Sequence, residues 1–377
     1  MNILLARPKP DSRSVNVARF MTPEPLELEI VAAHLRDLGH DVDLVDLVLE
    51  RRPLRRLVSL KQYDIVGFTA YINHVQVVKH LARDVKRVSP RTQVVVGGIH
   101  AEAVPTDFVD ASIDHILWAN GVITLGEIAS GMSAAEAACL PGVWGSGKAK
   151  PAVEHPPGLL PDRTITAKYR NRYTHIHHER SASLKTAYGC EAPCGTYCTD
   201  AGSYAERDLD EVMDELAGIA EPHVFIVDDN FLSRRSGIRT FCDALDARGI
   251  SKRFSAFGRA DHVTAHPDDI RLLAEHGFEG IFLGVQTLPM SDLANERTRT
   301  SVEQVNEAVR VLEEVGVECY SDLFTGEDWD NAHYKTTGNS SRRRYIRHRY
   351  GNRVYRRMLR GAMGNTWQYL KLIVRPE

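Results

Sequence analysis

The chain has 377 residues, 43% of them apolar and 26% charged, the balance of an ordinary globular protein with room for two domains. A formal net charge of −3 gives no whole-chain basis for a nucleic-acid partner, and none is expected. No apolar run reaches the roughly 18 residues of a membrane span, and the opening segment meets Pro8 too early for a secretory leader, so the expected compartment is the cytoplasm.

Residues 2–6 form an apolar run that predicts a strand, and residues 26–38 carry apolar side chains at helical spacing up to Gly39. A weaker strand follows at 41–47, a buried-strand run at 64–69, a helix at 75–88 and a β-branched run at 93–98 that ends in a glycine pair. A last short run at 115–117 precedes Asn120-Gly121 and a short helix. This alternation predicts a doubly wound, Rossmann-like α/β domain over 1–130, with a parallel sheet. In such sheets ligands sit at the carboxyl ends of the strands, which places residues 6–10, 69–73, 97–102 and 119–122 around one crevice.

Residues 131–183 are punctuated by Pro141, Pro151, Pro156, Pro157 and Pro161 and read as a linker. From 184 to 330 the alternation resumes, with strands expected at 184–189, 223–227, 253–258, 280–285 and 317–324. Helical spacing lies between them at 209–220, 238–248, 268–276 and 302–315. Successive βα units predict an open or closed barrel whose active face lies at the strand ends, where the cysteines, Asp228, Asp229, Arg259 and Gln286 all fall. Residues 331–377 form a basic tail without an acid before Glu377, in which Tyr345, Ile346, Tyr350, Val354 and Leu359 interleave with arginines. Such a run is ordinarily a solvated face; it also fits an amphipathic helix resting on an anionic membrane surface.

The segment from Gly189 to Cys198 puts Cys190, Cys194 and Cys198, three of the six cysteines, into one loop after a strand. In a reducing compartment clustered thiols read as metal ligands before disulfides. Three thiolates suit an iron–sulfur cluster and leave one iron of a four-iron cluster open to a further ligand. Zinc would require a fourth ligand, for which His175, His177 and His178 stand just upstream. Ordinary buried thiols are the remaining alternative. Asp228 and Asp229 offer charge-assisted bonds to an ammonium, or else cap the following helix. Arg259 offers a fork for a carboxylate, or else is a surface arginine.

The loop resembles the cysteine motif of the radical SAM enzymes, with the aromatic Tyr197 before the third cysteine. The segments 225–231, 258–261, 282–286 and 327–330 are similar to the class that has an N-terminal cobalamin-binding domain, and within it to the hopanoid methylase-like branch. The resemblance implies a partial (βα)6 radical SAM barrel, a [4Fe-4S] cluster on the three cysteines, and S-adenosyl-L-methionine bound at the open iron. It implies cleavage of that molecule to a 5′-deoxyadenosyl radical, and methyl transfer from cobalamin to an unactivated carbon of a small-molecule or lipid substrate. Tyr197, Asp228, Asp229, Arg259 and Gln286 become candidates to hold the nucleotide, and Gly97, Gly98 and His100 candidates at cobalamin. An electron donor such as flavodoxin or ferredoxin would be the protein partner, with peripheral membrane contact through the basic tail.

The sequence departs from the family pattern in three places. The cysteine spacing is three and three residues where the family has three and two, Gln286 stands where Glu is usual, and the tail begins soon after the fifth strand as though the barrel were shortened. The Asp-x-His-x-x-Gly signature of histidine-ligated cobalamin proteins is also absent. A non-methylating radical reaction and a non-catalytic relative are the alternative functions. Replacing any one of Cys190, Cys194 or Cys198 with Ala is expected to abolish cluster absorbance; unchanged iron content in all three variants would overturn the cluster assignment.

Overall fold

A computed structural model describes residues 1–11, 21–154, 158–176, 178–190, 204–283 and 302–321. The first sheet contains β1 (Asn2–Arg7), β2 (Asp41–Asp46), β3 (Ile65–Thr69), β4 (Gln93–Gly97) and β5 (His115–Ile116). All pairs are parallel, in the order β2-β1-β3-β4-β5. The helices are α1 (Leu26–Asp37), α2 (Leu54–Leu60), α3 (Val75–Val88), α4 (Ile99–Ala103) and α5 (Gly121–Ala129). Every residue of β3 is buried, because helices cover both faces of the sheet. Leu4, Val66, Val94 and Phe108 pack on one side, and Ile3, Leu5, Leu35 and Ile128 on the other. The strand order reverses between β1 and β3, which opens a crevice at their carboxyl ends.

The segment after α5 contributes the one-turn α6 (Ala134–Ala137) and a small antiparallel hairpin, β6 (Thr174–His175) with β7 (His178–Glu179). The chain then runs through β8 (Ser181–Leu184), β9 (Ala187–Tyr188), β10 (Ala205–Glu206), α7 (Leu209–Gly218), β11 (His223–Ile226), α8 (Ile238–Ala247) and β12 (Arg253–Gly258). It continues with α9 (Ala260–Ala265), α10 (Pro267–Glu275), β13 (Phe278–Leu283), α11 (Val302–Glu314) and β14 (Glu318–Ser321). The second sheet is wholly parallel in the order β14-β13-β12-β11-β8. Strand order follows chain order without reversal, the arrangement of a barrel wall. Val224, Ile226, Phe254, Ala256, Ile281 and Leu283 face the helices, so the alternate residues Phe225, Phe257, Phe282 and Tyr320 face inward. Those four rings lie in sequence across the strands, with neighbouring centroids 5.3, 5.1 and 4.8 Å apart.

One expectation is corrected. The strand expected at 184–189 lies earlier, at Ser181–Leu184, and Ala187–Tyr188 leaves the sheet to pair with Ala205–Glu206. The amides of Thr186 and Ala187 are taken by the carboxylate of Asp228, so they are not available to the ladder. Among the described residues no helix is long and apolar enough to cross a membrane.

Two partly buried arginines join the two sheets. Arg163 donates to Glu24 at 2.5 Å, to the carbonyl of Ser183 at 2.8 Å and to Glu215 at 2.5 Å. Arg170 pairs with Glu221 through two bonds of 2.8 and 2.6 Å, and its remaining nitrogen reaches Glu24. Glu24 also accepts the amide of Ser183 in β8 at 2.9 Å. Beside them Glu29 accepts from Thr166. Burial pushes the Glu29 carboxyl up from about 4.5 to about 9, with Glu24 reinforcing the rise and Arg163 opposing it.

Arg163→Ala would leave Glu24 to Arg170 and Glu215 to Arg207 while removing the cation they share, and is expected to cost roughly 2 kcal/mol in urea denaturation. The folded pKa of Glu29 lies above the unfolded value, so its contribution to stability is complete below about pH 4.5 and is lost as pH rises toward about 9. Glu29→Gln is therefore expected to flatten the decline of stability across that window; parallel profiles for wild type and variant would refute this.

Candidate functional site

The crevice of the first sheet holds a cavity of about 300 Å³. Leu28 and Val31 of α1 and Leu117 and Leu125 beyond β5 give it apolar walls, and Gly97 and Gly98 form its rim at the end of β4. Gly98 has φ +95°, and a Cβ there would lie 2.8 Å from the amide nitrogen of Ala70 and 2.8 Å from Oγ1 of Thr69. That position admits only glycine, and it brings bare backbone to the cavity edge. Glu27, in the first turn of α1, lines the cavity with its side chain exposed.

A cover is built from 150–154. Asn120, in the left-handed conformation at φ 50°, donates to the carbonyl of Ala152 at 2.9 Å and accepts the amide of Glu154 at 2.8 Å. Lys150 reaches the carbonyl of Glu102 at 3.1 Å. His100 does not line the cavity: its Nε2 sits 2.8 Å from Asp107 and its ring meets Phe108 edge-on.

At the carboxyl end of the second sheet, Cys190 is 7% exposed, with Nδ2 of Asn230 at 3.9 Å from its sulfur. Cys194, Cys198, Tyr197 and Gln286 lie outside the described residues, as does the basic tail. Asp228 is buried and fully engaged: it accepts the amides of Thr186 at 2.6 Å and Ala187 at 3.1 Å, and the hydroxyl of Thr186. Burial raises its carboxyl, and Lys185 and these donors oppose the rise. Its role is to hold the start of the cysteine loop rather than to cap the next helix.

Asp229 is half-exposed beside Lys185 at 3.2 Å. The fork of Arg259 holds Asp261, through contacts of 3.0 and 2.7 Å, and Asp261 in turn accepts the amide of His262 at the start of α9.

Three residues at this edge carry no sequence signal. Arg234 is buried, donates to the hydroxyl oxygen of Thr186 at 2.5 Å and faces Glu206 at 3.6 Å. Glu206, on the far side of the loop, accepts the amide of Arg235 at 2.6 Å. The third, Tyr188, lines the cavity of the first domain two residues before Cys190.

Two of the histidines offered as zinc partners, His175 and His178, stand elsewhere, and His177 lies outside the described residues. His178 stacks on His223 at 3.7 Å and His175 on Phe225 at 4.0 Å, at the amino end of β11, whereas Cys190 lies beyond the carboxyl end of β8. Among the described residues no three His, Cys, Asp or Glu are grouped to hold a metal ion.

The residues present fit the implied groups. Cys190 is a buried sulfur faced by an N–H donor, as a cluster ligand requires, and the apolar slot with backbone exposed at Gly98 fits a flat nucleotide-like group. Asp228→Ala would leave two buried amides unpaired and is expected to cost roughly 2–4 kcal/mol by thermal or urea unfolding. Asp229→Ala should stay within about 0.5 kcal/mol of wild type. Equal, small effects would overturn the bracing role of Asp228.

A family model described as the B12 binding domain matches residues 14–129. Hopanoid C-3 methylase of Methylococcus capsulatus is 29% identical over 331 residues, covering 84% of this chain and 64% of that protein. The anaerobic magnesium-protoporphyrin IX monomethyl ester cyclase of Rubrivivax gelatinosus is 23% identical over 357 residues, covering 88% and 64%. The solved structure of the cobalamin-dependent S-adenosylmethionine radical enzyme OxsB, with aqua-cobalamin and S-adenosylmethionine bound, shares the fold. Its TM-score is 0.65 at 18% identity, over 87% of this chain and 50% of that one. The chain thus spans 64% of the length of these two curated relatives and half that of the solved structure. Residues 14–129 thus match the B12 binding domain, and the chain as a whole is similar in sequence to a hopanoid methylase and in fold to a cobalamin-dependent S-adenosylmethionine radical enzyme.

Proposed function

We propose that this protein is a cobalamin-dependent radical SAM enzyme that methylates an unactivated carbon of an apolar, lipid-like substrate. The observation that carries the reading is the position of Tyr188, which lines the crevice of the B12-binding domain and stands two residues before Cys190. Two sites that each fit a cofactor thereby lie on one short segment. When bound, the cluster on Cys190, Cys194 and Cys198 would supply the electron that cleaves S-adenosylmethionine, and cobalamin would supply the methyl group.

The chain's own residues position and enclose. Asp228 and Arg234 fix the chain where it enters the cysteine loop, and Glu206 fixes it where it leaves. Asn120 and Lys150 hold residues 150–154 along the crevice. The inward rings of Phe225, Phe257, Phe282 and Tyr320 offer an apolar wall without a formal charge, which supports a hydrocarbon-rich substrate. A reduced flavodoxin or ferredoxin would provide electrons, and the basic tail would rest on an anionic membrane surface where such a substrate is found. The similarity to a ring-forming cyclase supports a second reading, radical ring closure without methyl transfer, which product analysis separates from the first.

The test is anaerobic reconstitution with iron and sulfide, then dithionite, S-adenosylmethionine and cobalamin, with assay of 5′-deoxyadenosine. Formation by wild type and its loss in Cys190→Ala are expected. A cluster-loaded wild type that forms none would overturn the assignment.

A further inference from the structure

Asn230 follows β11 and precedes a tight turn at Phe231–Ser233. Its side chain is 4% exposed, and its Nδ2 stands 3.9 Å from the sulfur of Cys190. Sulfur is larger than oxygen, so this separation still permits a weak N–H···S bond. Neither partner is free to drift. The Asn230 carbonyl accepts the hydroxyl of Ser233 at 3.3 Å, and Phe231 is wedged against Phe241 and Phe278 at 5.2 and 5.3 Å. On the cysteine side, Asp228 pins Thr186 and Ala187, and β9 is paired with β10. Asp228 lies two residues before Asn230, so the same short segment braces the loop and presents the amide.

The chemistry fixes which way the amide must face. A metal-bound thiolate only accepts, so the NH2 group and not the oxygen turns toward it. The Oδ1 of Asn230 has no partner among the described residues. An asparagine kept for packing alone would leave a buried acceptor unsatisfied at a cost of about 1–3 kcal/mol with nothing gained. Donation to sulfur gives the residue a purpose, because water is excluded here and does not compete for the thiolate.

We propose that Asn230 donates a hydrogen bond to the sulfur of Cys190 and thereby sets the reduction potential of the cluster held there. This rests on the reading of the cysteine loop given above. Reduction adds negative charge to the cluster, and a donor at a ligand sulfur stabilises the more negative state, so the bond raises the potential. Asn230 is a positioning and tuning residue; it donates no electron and ligates no iron.

The test is a redox titration of the reconstituted full chain, followed by EPR without S-adenosylmethionine, on wild type and Asn230→Leu. Leu keeps the branched four-atom skeleton and removes the donor. Unchanged iron content with a shift to more negative potential is expected; an unchanged potential in the loaded variant would overturn the bond. Should Asn230→Leu fail to fold or to keep its cluster, wild type labelled with 15N-asparagine decides. A weak nitrogen coupling to the reduced cluster upholds the bond, and its absence refutes it. Wild type that takes up no iron refutes the cluster assignment itself, whereas a loaded wild type without the coupling refutes only the role of Asn230.

Discussion

Arg163 donates into Glu24, Glu215 and the carbonyl of Ser183 at once, and the placement of every other functional element follows from that contact. Glu24 belongs to the approach to α1, Glu215 to α7 and Ser183 to β8, so one guanidinium sets how the first sheet faces the second. Arg170 repeats the device through Glu24 and Glu221. Buried charges of this kind are expensive unless all are paired, and their geometry therefore tolerates little displacement. The return is registration: β8 is held against the first domain, and the chain leaving it passes Tyr188 before reaching Cys190. A looser apolar boundary would bury surface equally well and specify the angle less.

The second sheet then presents its chemistry by the ordinary logic of parallel strands, whose carboxyl ends carry the functional loops. Its cysteine loop is clamped at both ends. Asp228 and Arg234 meet at Thr186 on the entering side, and Glu206 meets the amide of Arg235 on the leaving side. The bonds at Thr186 are charge-assisted and buried, where each is stronger than at the surface, whereas the bond of Glu206 is exposed. The inner face is closed at the opposite end of the strands by the hairpin bearing His175 and His178, which stack on Phe225 and His223.

Much of this was legible in the sequence because it depends on period. The helix expected at 75–88 and the strand at 253–258 are found with those bounds, since amphipathic spacing and a β-branched or aromatic run are local signals. The doubly wound first sheet and the consecutive second one follow from the same alternation. What local pattern did not carry was partnership through space. Asp228 reads as an available acid, yet its burial and its bond to an amide 42 positions away are visible only in the fold. Arg259 reads as a carboxylate receptor and is one, but for Asp261 two residues on. His100 reads as a cavity residue because it follows two glycines, whereas α4 turns it onto Asp107. Arg234 and Tyr188 lack any motif, Asn230 falls in the matching segment 225–231 without a role attached to it, and a lone residue of common type announces nothing until its neighbours are known. The three-residue gaps between cysteines are plain in the sequence, but the loop that realises them lies outside the described residues.

Tyr188 and Cys190 sit on one short segment with a single residue between them, and that has a thermodynamic corollary. A ligand in the crevice and a group held on Cys190 would act on neighbouring residues of one segment, and any coupling between the two binding equilibria would be reciprocal: the factor by which one changes the affinity of the other holds in both directions.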